Sequence, residues 1–294
     1  MTTERVITAR AEGPIRFELG ITSGHVRITT SPLTSRAVVT LRTIGTEGAA
    51  VDAVAAATAS ERDGSLKVTV PAPEDDHTAA TGPVAVVGTV IGPTYTNRAL
   101  RGGATFVQHG TGNMQLLGDL GYLKIVHHSG GGRTITADGT PLIEGPGIIQ
   151  VDVQLPPDSE ISVLSDGSAD LTLAGAYSKA AVTTISGDVA AEDADLREAV
   201  VTSTSGDITI GRLRRRGARL TSTSGDIAVH RFDGGPLTVT TVRGDIQVGA
   251  RRGTVHAGHL DLQTVKGDIT TTGFTATPQV RLTTNTIKGD IRHR

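Results

Sequence analysis

The chain has 294 residues, a formal net charge of −2 and no cysteine. The charge balance creates no global field that would attract nucleic acid or a membrane surface, and the lack of cysteine excludes disulfide scaffolds, thiol redox chemistry and iron–sulfur clusters. Only three Tyr and four Phe accompany 37 glycines and 12 prolines. A helix bundle is therefore excluded, and a thin core of branched aliphatic residues is expected.

The first 71 residues predict short strands and one helix. Apolar and polar residues alternate over 5–9, 15–19, 25–29, 37–44 and 66–70, which is typical of strands. The alanine-rich stretch 49–60, bracketed by Gly48 and Gly64, predicts a short helix. We expect residues 1–71 to form a β-rich region that covers one end of a repeat domain.

Residues 72–147 differ in composition from the rest of the chain. A polar, proline-bearing stretch at 71–83 predicts a loop, and glycine-rich sequence with short apolar runs follows it. We expect irregular coils or an insertion here. A strand with a proline stop is then predicted over 148–157.

Six copies of a Gly-Asp motif organise the second half of the chain. Successive glycines are separated by 19, 19, 19, 23 and 22 residues, which describes one structural unit with loop insertions. Degenerate copies are predicted at 23–28 and 165–171. The predicted turn residues are Gly187, Asp188, Gly206, Asp207, Gly225, Asp226, Gly244, Asp245, Gly267, Asp268, Gly289 and Asp290.

Apolar residues alternate on both sides of each motif. Val189 and Ile208 stand two residues after their glycines, and Val201 and Leu220 stand five residues before theirs. Because side chains alternate between the faces of a strand, these residues point inward together. Each unit is therefore strand, corner, strand and loop, with a glycine that supplies backbone angles a Cβ would penalise.

Two architectures satisfy this unit. In a β-solenoid the strands of successive coils pair in parallel about 4.8 Å apart, whereas in an antiparallel meander Gly-Asp is a two-residue hairpin loop. Constant spacing with the same residue class at each register favours the solenoid. We predict an all-β, single-stranded β-helix over 148–294, with coils of about 19 to 23 residues, and one short helix near the amino terminus.

The tandem Ser-Gly-Asp-Ile units, the approach segment 155–163 and the segment 66–71 resemble a bacterial β-strand-repeat family of unknown function labelled "putative adhesin". The resemblance is strongest over 148–294 and fainter over 1–71. It implies a β-helical fold with no established enzymatic activity and no established ligand. The resemblance assigns no catalytic residues in this chain, since fold alone does not determine function.

Arg243, Gly244 and Asp245 form an Arg-Gly-Asp tripeptide of the kind associated with cell attachment. We interpret it as one more repeat corner, because the other units hold different residues at the first position, namely Ser186, Ser205, Ser224, Lys266 and Lys288.

Stacking in register would place the repeat aspartates in one column of like charges. Such a column is unfavourable unless each carboxylate is hydrogen-bonded, paired or close to a cation. Calcium accepts carboxylate and carbonyl oxygens, but the nine-residue repeat of calcium-binding β-rolls is absent. We expect backbone capping, with Arg243, Lys266 and Lys288 reducing the repulsion.

A cluster of arginines predicts a basic edge that could hold anionic polymer, phospholipid headgroups or nucleic acid through phosphate contacts. Few aromatic residues accompany it for base stacking, so a solvated loop face is the simpler interpretation. Its members are Arg212, Arg214, Arg215, Arg216, Arg219, Arg231 and Arg251.

Motifs for catalysis, cofactors and metals are absent. His127 with His128, and His256 with His259, are the close histidine groupings, and neither has the His-Glu-x-x-His spacing of a zinc site. Nucleophile elbows, phosphate loops and dinucleotide fingerprints are missing as well. We predict no cofactor, no metal site and no enzymatic activity.

Three functions remain open at this stage. The leading one is a non-enzymatic scaffold or interaction protein that associates through an open solenoid end, with a protein partner or a second copy. The alternatives are a polysaccharide-active β-helix enzyme that uses aspartates such as Asp207 and Asp226, and an anion-binding module on the arginine edge. No secretion signal and no apolar run of about 20 residues is seen, so a cytoplasmic location is expected.

Overall fold

The computed structural model describes residues 2–44, 48–73, 104–108, 123–127, 148–250, 257–274 and 280–294. The chain forms two compact units, one of residues 1–74 with 146–294 and one of residues 75–145. In the second unit, strands β7 (Ala104–Gln108) and β8 (Leu123–His127) pair in parallel. The rest of the region predicted as irregular coils or an insertion lies outside the described residues.

Residues 2–44 and 48–73, the described amino-terminal part of the first unit, form six strands and one helix. They are β1 (Thr2–Thr8), β2 (Arg16–Ile21), β3 (Gly24–Thr30), β4 (Val38–Ile44), α1 (Ala49–Ala56), β5 (Thr58–Arg62) and β6 (Ser65–Thr69).

The helix predicted over 49–60 is shorter than the sequence indicated. It ends at Ala56, and Thr58 begins β5, which pairs antiparallel with β6. The hairpin turns through Asp63 and Gly64, both of which have positive φ. The backbone hydrogen bonds of this hairpin therefore outweigh the helix propensity of the last alanines, as tertiary context commonly does.

The described residues of the repeat region form eleven further strands in the same unit. They are β9 (Ile149–Leu155), β10 (Ser159–Ser186), β11 (Val189–Ser205), β12 (Ile208–Ser224), β13 (Ile227–Phe232), β14 (Gly235–Arg243), β15 (Ile246–Gly249), β16 (Gly258–Lys266), β17 (Ile269–Thr272), β18 (Val280–Lys288) and β19 (Ile291–His293).

Successive coils pair in parallel and in register. Val201 lies beside Leu220 and Leu220 beside Val239, while Ile227 lies beside Ile208 and Ile246. These pairings confirm the predicted β-solenoid and exclude the meander, because a hairpin at Gly-Asp would pair its two strands antiparallel.

Strands from the amino-terminal region extend the stack. β2 pairs in parallel with residues 160–165 of β10, and β3 with residues 169–174. Gly24 pairs with Ala169 and therefore lies in the same column as the corner glycines of the later coils. The degenerate copies at 23–28 and 165–171 are thus both part of the repeat, as predicted. Beyond β2 and β3 lie β6 and β9, where the parallel stacking ends because β5 and β4 pair antiparallel with them.

The core is a continuous column of small and branched aliphatic side chains. Leu220, Val239 and Leu262 are fully buried, and α1 buries Ala53 and Val54 in the same cluster. Among the described residues, Tyr177 has the largest fully buried side chain, and its hydroxyl lies 2.7 Å from the Ile28 carbonyl oxygen. Burial raises the pKa of the Tyr177 hydroxyl well above its usual range.

Each corner glycine lies directly against the carbonyl group of the preceding coil. Gly225 has φ of 144°, and a Cβ built there would lie 2.2 Å from the Gly206 carbonyl oxygen. The same contact, at 2.0 to 2.3 Å, recurs at Gly187, Gly206, Gly244, Gly267 and Gly289. Both the backbone angle and the missing Cβ are thus required for close stacking.

We expect Gly225→Ala to lower the free energy of unfolding by about 3 kcal/mol, because it combines an unfavourable φ with a backbone clash. Gly64→Ala is the control, since φ there is +74° and no atom lies within 4 Å of a Cβ; we expect it to cost about 1 kcal/mol. Chemical denaturation measures both, and equal losses would contradict the stacking explanation.

Candidate interaction surface

The corner aspartates form a hydrogen-bonded chain along the solenoid. The backbone amide of each Asp donates to a carboxylate oxygen of the Asp one coil earlier, at 2.7 to 3.1 Å. Each carboxylate therefore caps the amide of the next corner. The donor and acceptor pairs are Asp188 to Asp170, Asp207 to Asp188, Asp226 to Asp207, Asp245 to Asp226, Asp268 to Asp245 and Asp290 to Asp268.

Basic groups lie at both ends of this chain of aspartates. The His25 Nδ1 atom is 3.4 Å from the Asp170 carboxylate, and Arg292 is 2.8 Å from Asp290 and 3.5 Å from Asp268. The Arg-Gly-Asp tripeptide occupies an ordinary corner, with Gly244 at φ of 144°. No group of three acidic or histidine side chains is arranged to hold a metal ion in the described part of the chain.

Two substitutions of Asp226 distinguish the contribution of its hydrogen bond to stability from the contribution of its charge. Asp226→Ala removes the acceptor for the Asp245 amide, and we expect a loss of about 1 kcal/mol of stability. Asp226→Asn keeps an oxygen acceptor and removes one like charge from the column, so we expect it to change stability by less than about 0.5 kcal/mol. Denaturation curves of both variants measure this, and an equal loss in Asp226→Asn would show that the charge is required.

The arginine cluster is not a simple basic edge, which corrects the interpretation drawn from the sequence. Arg212 contacts Asp233 at 2.6 Å and Asp195 at 3.3 Å, and Arg231 contacts Asp233 at 3.0 Å. Arg214 forms a further close pair with Asp195, which raises the pKa of the Arg214 guanidinium. Asp195 and Asp233 therefore pair with three of the seven arginines, namely Arg212 and Arg214 across neighbouring coils and Arg231 within the same coil.

The sequence pattern does not link Arg212 and Arg214 to Asp195 and Asp233, because these partners are 17 to 21 residues apart along the chain. Arg231 and Asp233, in contrast, are only two residues apart. Among the remaining arginines, Arg216 and Arg219 are exposed. The side chain of Arg215, and all of Arg251, lie outside the described residues. The same holds for the side chain of His127 and for His128 and His256, whereas His259 is exposed on β16.

We expect Asp233→Ala to destabilise the protein by about 2 to 3 kcal/mol, because it leaves Arg212 and Arg231 without their least exposed partner. The Asp233 side chain is only 10% exposed. Glu12→Ala is the control, since it breaks the exposed pair with Arg36, which should contribute less than about 1 kcal/mol. A cost for Asp233→Ala no greater than that for Glu12→Ala, measured by urea denaturation, would contradict this assignment.

The last described coil exposes an edge of its sheet. β18 pairs only with β16, and β19 only with β17, among the described strands. Ile291 is 40% exposed, whereas Ile269 and Ile246 in the same column are 0% and 1% exposed. The inward residues Leu282 and Thr284 are likewise only half-buried. The backbone groups on the outer side of this coil form a template for a further strand.

The same coil is basic, and an exposed apolar strip that runs along β14, β16 and β18 ends on it. Residues 280–294 include Arg281, Lys288, Arg292 and Arg294 against a single acidic residue, Asp290. Val242 and Val265 are 41% and 44% exposed, and Ile287 at the end of the strip reaches 78%. The motif analysis did not single out Arg281, Arg292 or Arg294, although counting charges coil by coil would have done so.

Comparison with known proteins identifies the repeat region. A family model described as Toastrack DUF4097 matches residues 148–294, which is half of the chain. The chain belongs to the Toastrack family. This confirms the resemblance that the repeated Gly-Asp motif indicated, and the Toastrack region is the solenoid built by strands β9 to β19.

Solved structures resemble the whole chain. A "putative adhesin" from Bacteroides fragilis NCTC 9343 shares 14% identity with a TM-score of 0.50, over 99% of this chain and 97% of that chain. A "putative lipid binding protein" from Parabacteroides distasonis ATCC 8503 shares 11% identity with a TM-score of 0.44, over 98% and 96%. A search of curated proteins found no match. At such identities, the similarity to the first structure shows the fold alone.

In the described part of the chain, none of the helices has the length and apolar character needed to cross a membrane.

Proposed function

We propose that this Toastrack protein is a non-enzymatic interaction protein that accepts a partner strand along the outer edge of β18 and β19. The observation that carries the proposal is the unpaired edge of the last described coil, with Ile291 at 40% exposure in a column that is otherwise buried. Addition of a strand to an exposed sheet edge is a general mode of recognition, in which main-chain hydrogen bonds supply much of the affinity.

The two ends of the solenoid differ in a way that supports this edge as the site. At the amino-terminal end, antiparallel strands β4 and β5 end the parallel stacking and α1 packs against the core. At the other end, the parallel strands β18 and β19 follow the same register as the coils before them. An added strand would extend an existing hydrogen-bond pattern there.

A second copy of the chain is the second candidate partner. Since the antiparallel strands and α1 occupy the amino-terminal end, two copies would meet through their last coils. Such a contact uses the same surface on both subunits and closes into a dimer rather than a filament.

The test is hydrogen exchange in residues 280–294 with a neutral probe peptide of alternating threonine and valine that has the nine residues of β18. We expect the peptide to slow exchange in this segment, because amides on the free edge would become hydrogen-bonded. Thr284→Lys should abolish the effect, since an inward charge on an edge strand blocks pairing. Thr283→Lys, with the same charge on the exposed outward side, should retain it.

The circular dichroism of each variant establishes whether it is folded, and Thr286→Lys repeats the test at the neighbouring inward position. The proposal fails if neither the peptide nor a high concentration of the protein itself slows exchange in residues 280–294. It also fails if the inward and outward lysines have the same effect.

A further inference from the structure

We infer that the strand accepted by the last coil is acidic, an inference that rests on the proposed function. The coil has four basic residues and one acidic residue, on a chain whose net charge is −2. The excess of positive charge is therefore local to this end and is not a property of the whole protein. A local field of this sign attracts and orients acidic partners.

Most of this positive charge is not neutralised within the structure. Arg292 is paired with Asp290 and Asp268, whereas Arg281, Lys288 and Arg294 have no acidic partner at ion-pair distance among the described residues. All three side chains are exposed. Their charges are thus available to a bound strand.

The basic residues also lie in the register that an added strand would continue. Lys288 pairs with Lys266, and Lys266 with Arg243, so a column of three basic side chains reaches the edge. At the other end of β18, Arg281 lies beside His259. An in-register strand would place its side chains about 5 Å from these groups, where opposite charges stabilise pairing.

The same charges disfavour a second copy of the chain. Two last coils brought edge to edge would place basic residues of both subunits near one another, and like charges on paired strands are destabilising. Lysine at an edge strand is a general device against edge-to-edge association of identical sheets. Charge therefore selects an acidic strand over a self-associated dimer at low ionic strength.

The probes are two labelled peptides, one alternating glutamate with valine and one alternating lysine with valine, with binding followed by fluorescence anisotropy. We expect the glutamate peptide to bind at least about tenfold more tightly at low ionic strength, and the difference to shrink as salt shortens the Debye length below about 5 Å. The double variant Arg281→Glu, Lys288→Glu should reverse the preference. The matched control Arg27→Glu, Lys67→Glu makes the same change in net charge at exposed positions on β3 and β6 and should preserve it.

Thr284→Lys distinguishes strand addition from general electrostatic attraction. It adds a positive charge to the coil, so non-specific attraction would bind the glutamate peptide more tightly, whereas blocked strand addition would weaken binding at least about tenfold. Tighter binding to Thr284→Lys overturns the inference, and so does loss of the preference in the control variant.

Two further outcomes separate this inference from the proposed function. Equal affinity for both charged peptides, or dimerisation of the wild-type chain at low ionic strength, would contradict the inference that the bound strand is acidic. Either result would still support the edge of β18 and β19 as the interaction site. If no peptide binds and no dimer forms, the inference and the proposed function both fail.

Discussion

The close approach of one coil to the next at each Gly-Asp corner is the constraint on which this structure depends. A glycine with positive φ rests on the carbonyl group of the preceding corner, and the amide of the following Asp donates to the carboxylate of the preceding Asp. Because the contact recurs at the same residue type, it fixes the register of all paired coils. Without that register, neither the aliphatic core nor the ordered outer columns would form.

Register also explains how a charged column is accommodated. Each aspartate carries a charge of the same sign as its neighbours, but every carboxylate before that of Asp290 accepts a backbone hydrogen bond from the next coil. Asp233 and Asp195 bind Arg212 across neighbouring coils, and Asp233 also binds Arg231 of its own coil. Charges are thus balanced between coils as well as within them.

The ends of the solenoid are where a repeated unit can acquire a function. A coil in the middle of the stack has both edges paired, whereas β18 and β19 have one partner each among the described strands. That edge has the hydrogen-bonding geometry common to every coil, so geometry alone does not select a partner. The uncompensated charges of Arg281 and Lys288 add the selectivity that the repeat lacks.

The sequence by itself determined the repeating part of the fold. Regular glycine spacing and alternating residues such as Val201 and Leu220 predict stacked parallel coils, because each unit must satisfy the same local backbone and burial requirements. Only the tertiary structure decided that Thr58 leaves the helix for a hairpin, that Asp233 pairs with Arg212, and that Ile291 is exposed while Ile269 is buried. These features depend on contacts between residues distant in the chain, and a local pattern contains no information about which neighbour a strand edge or a charge will find.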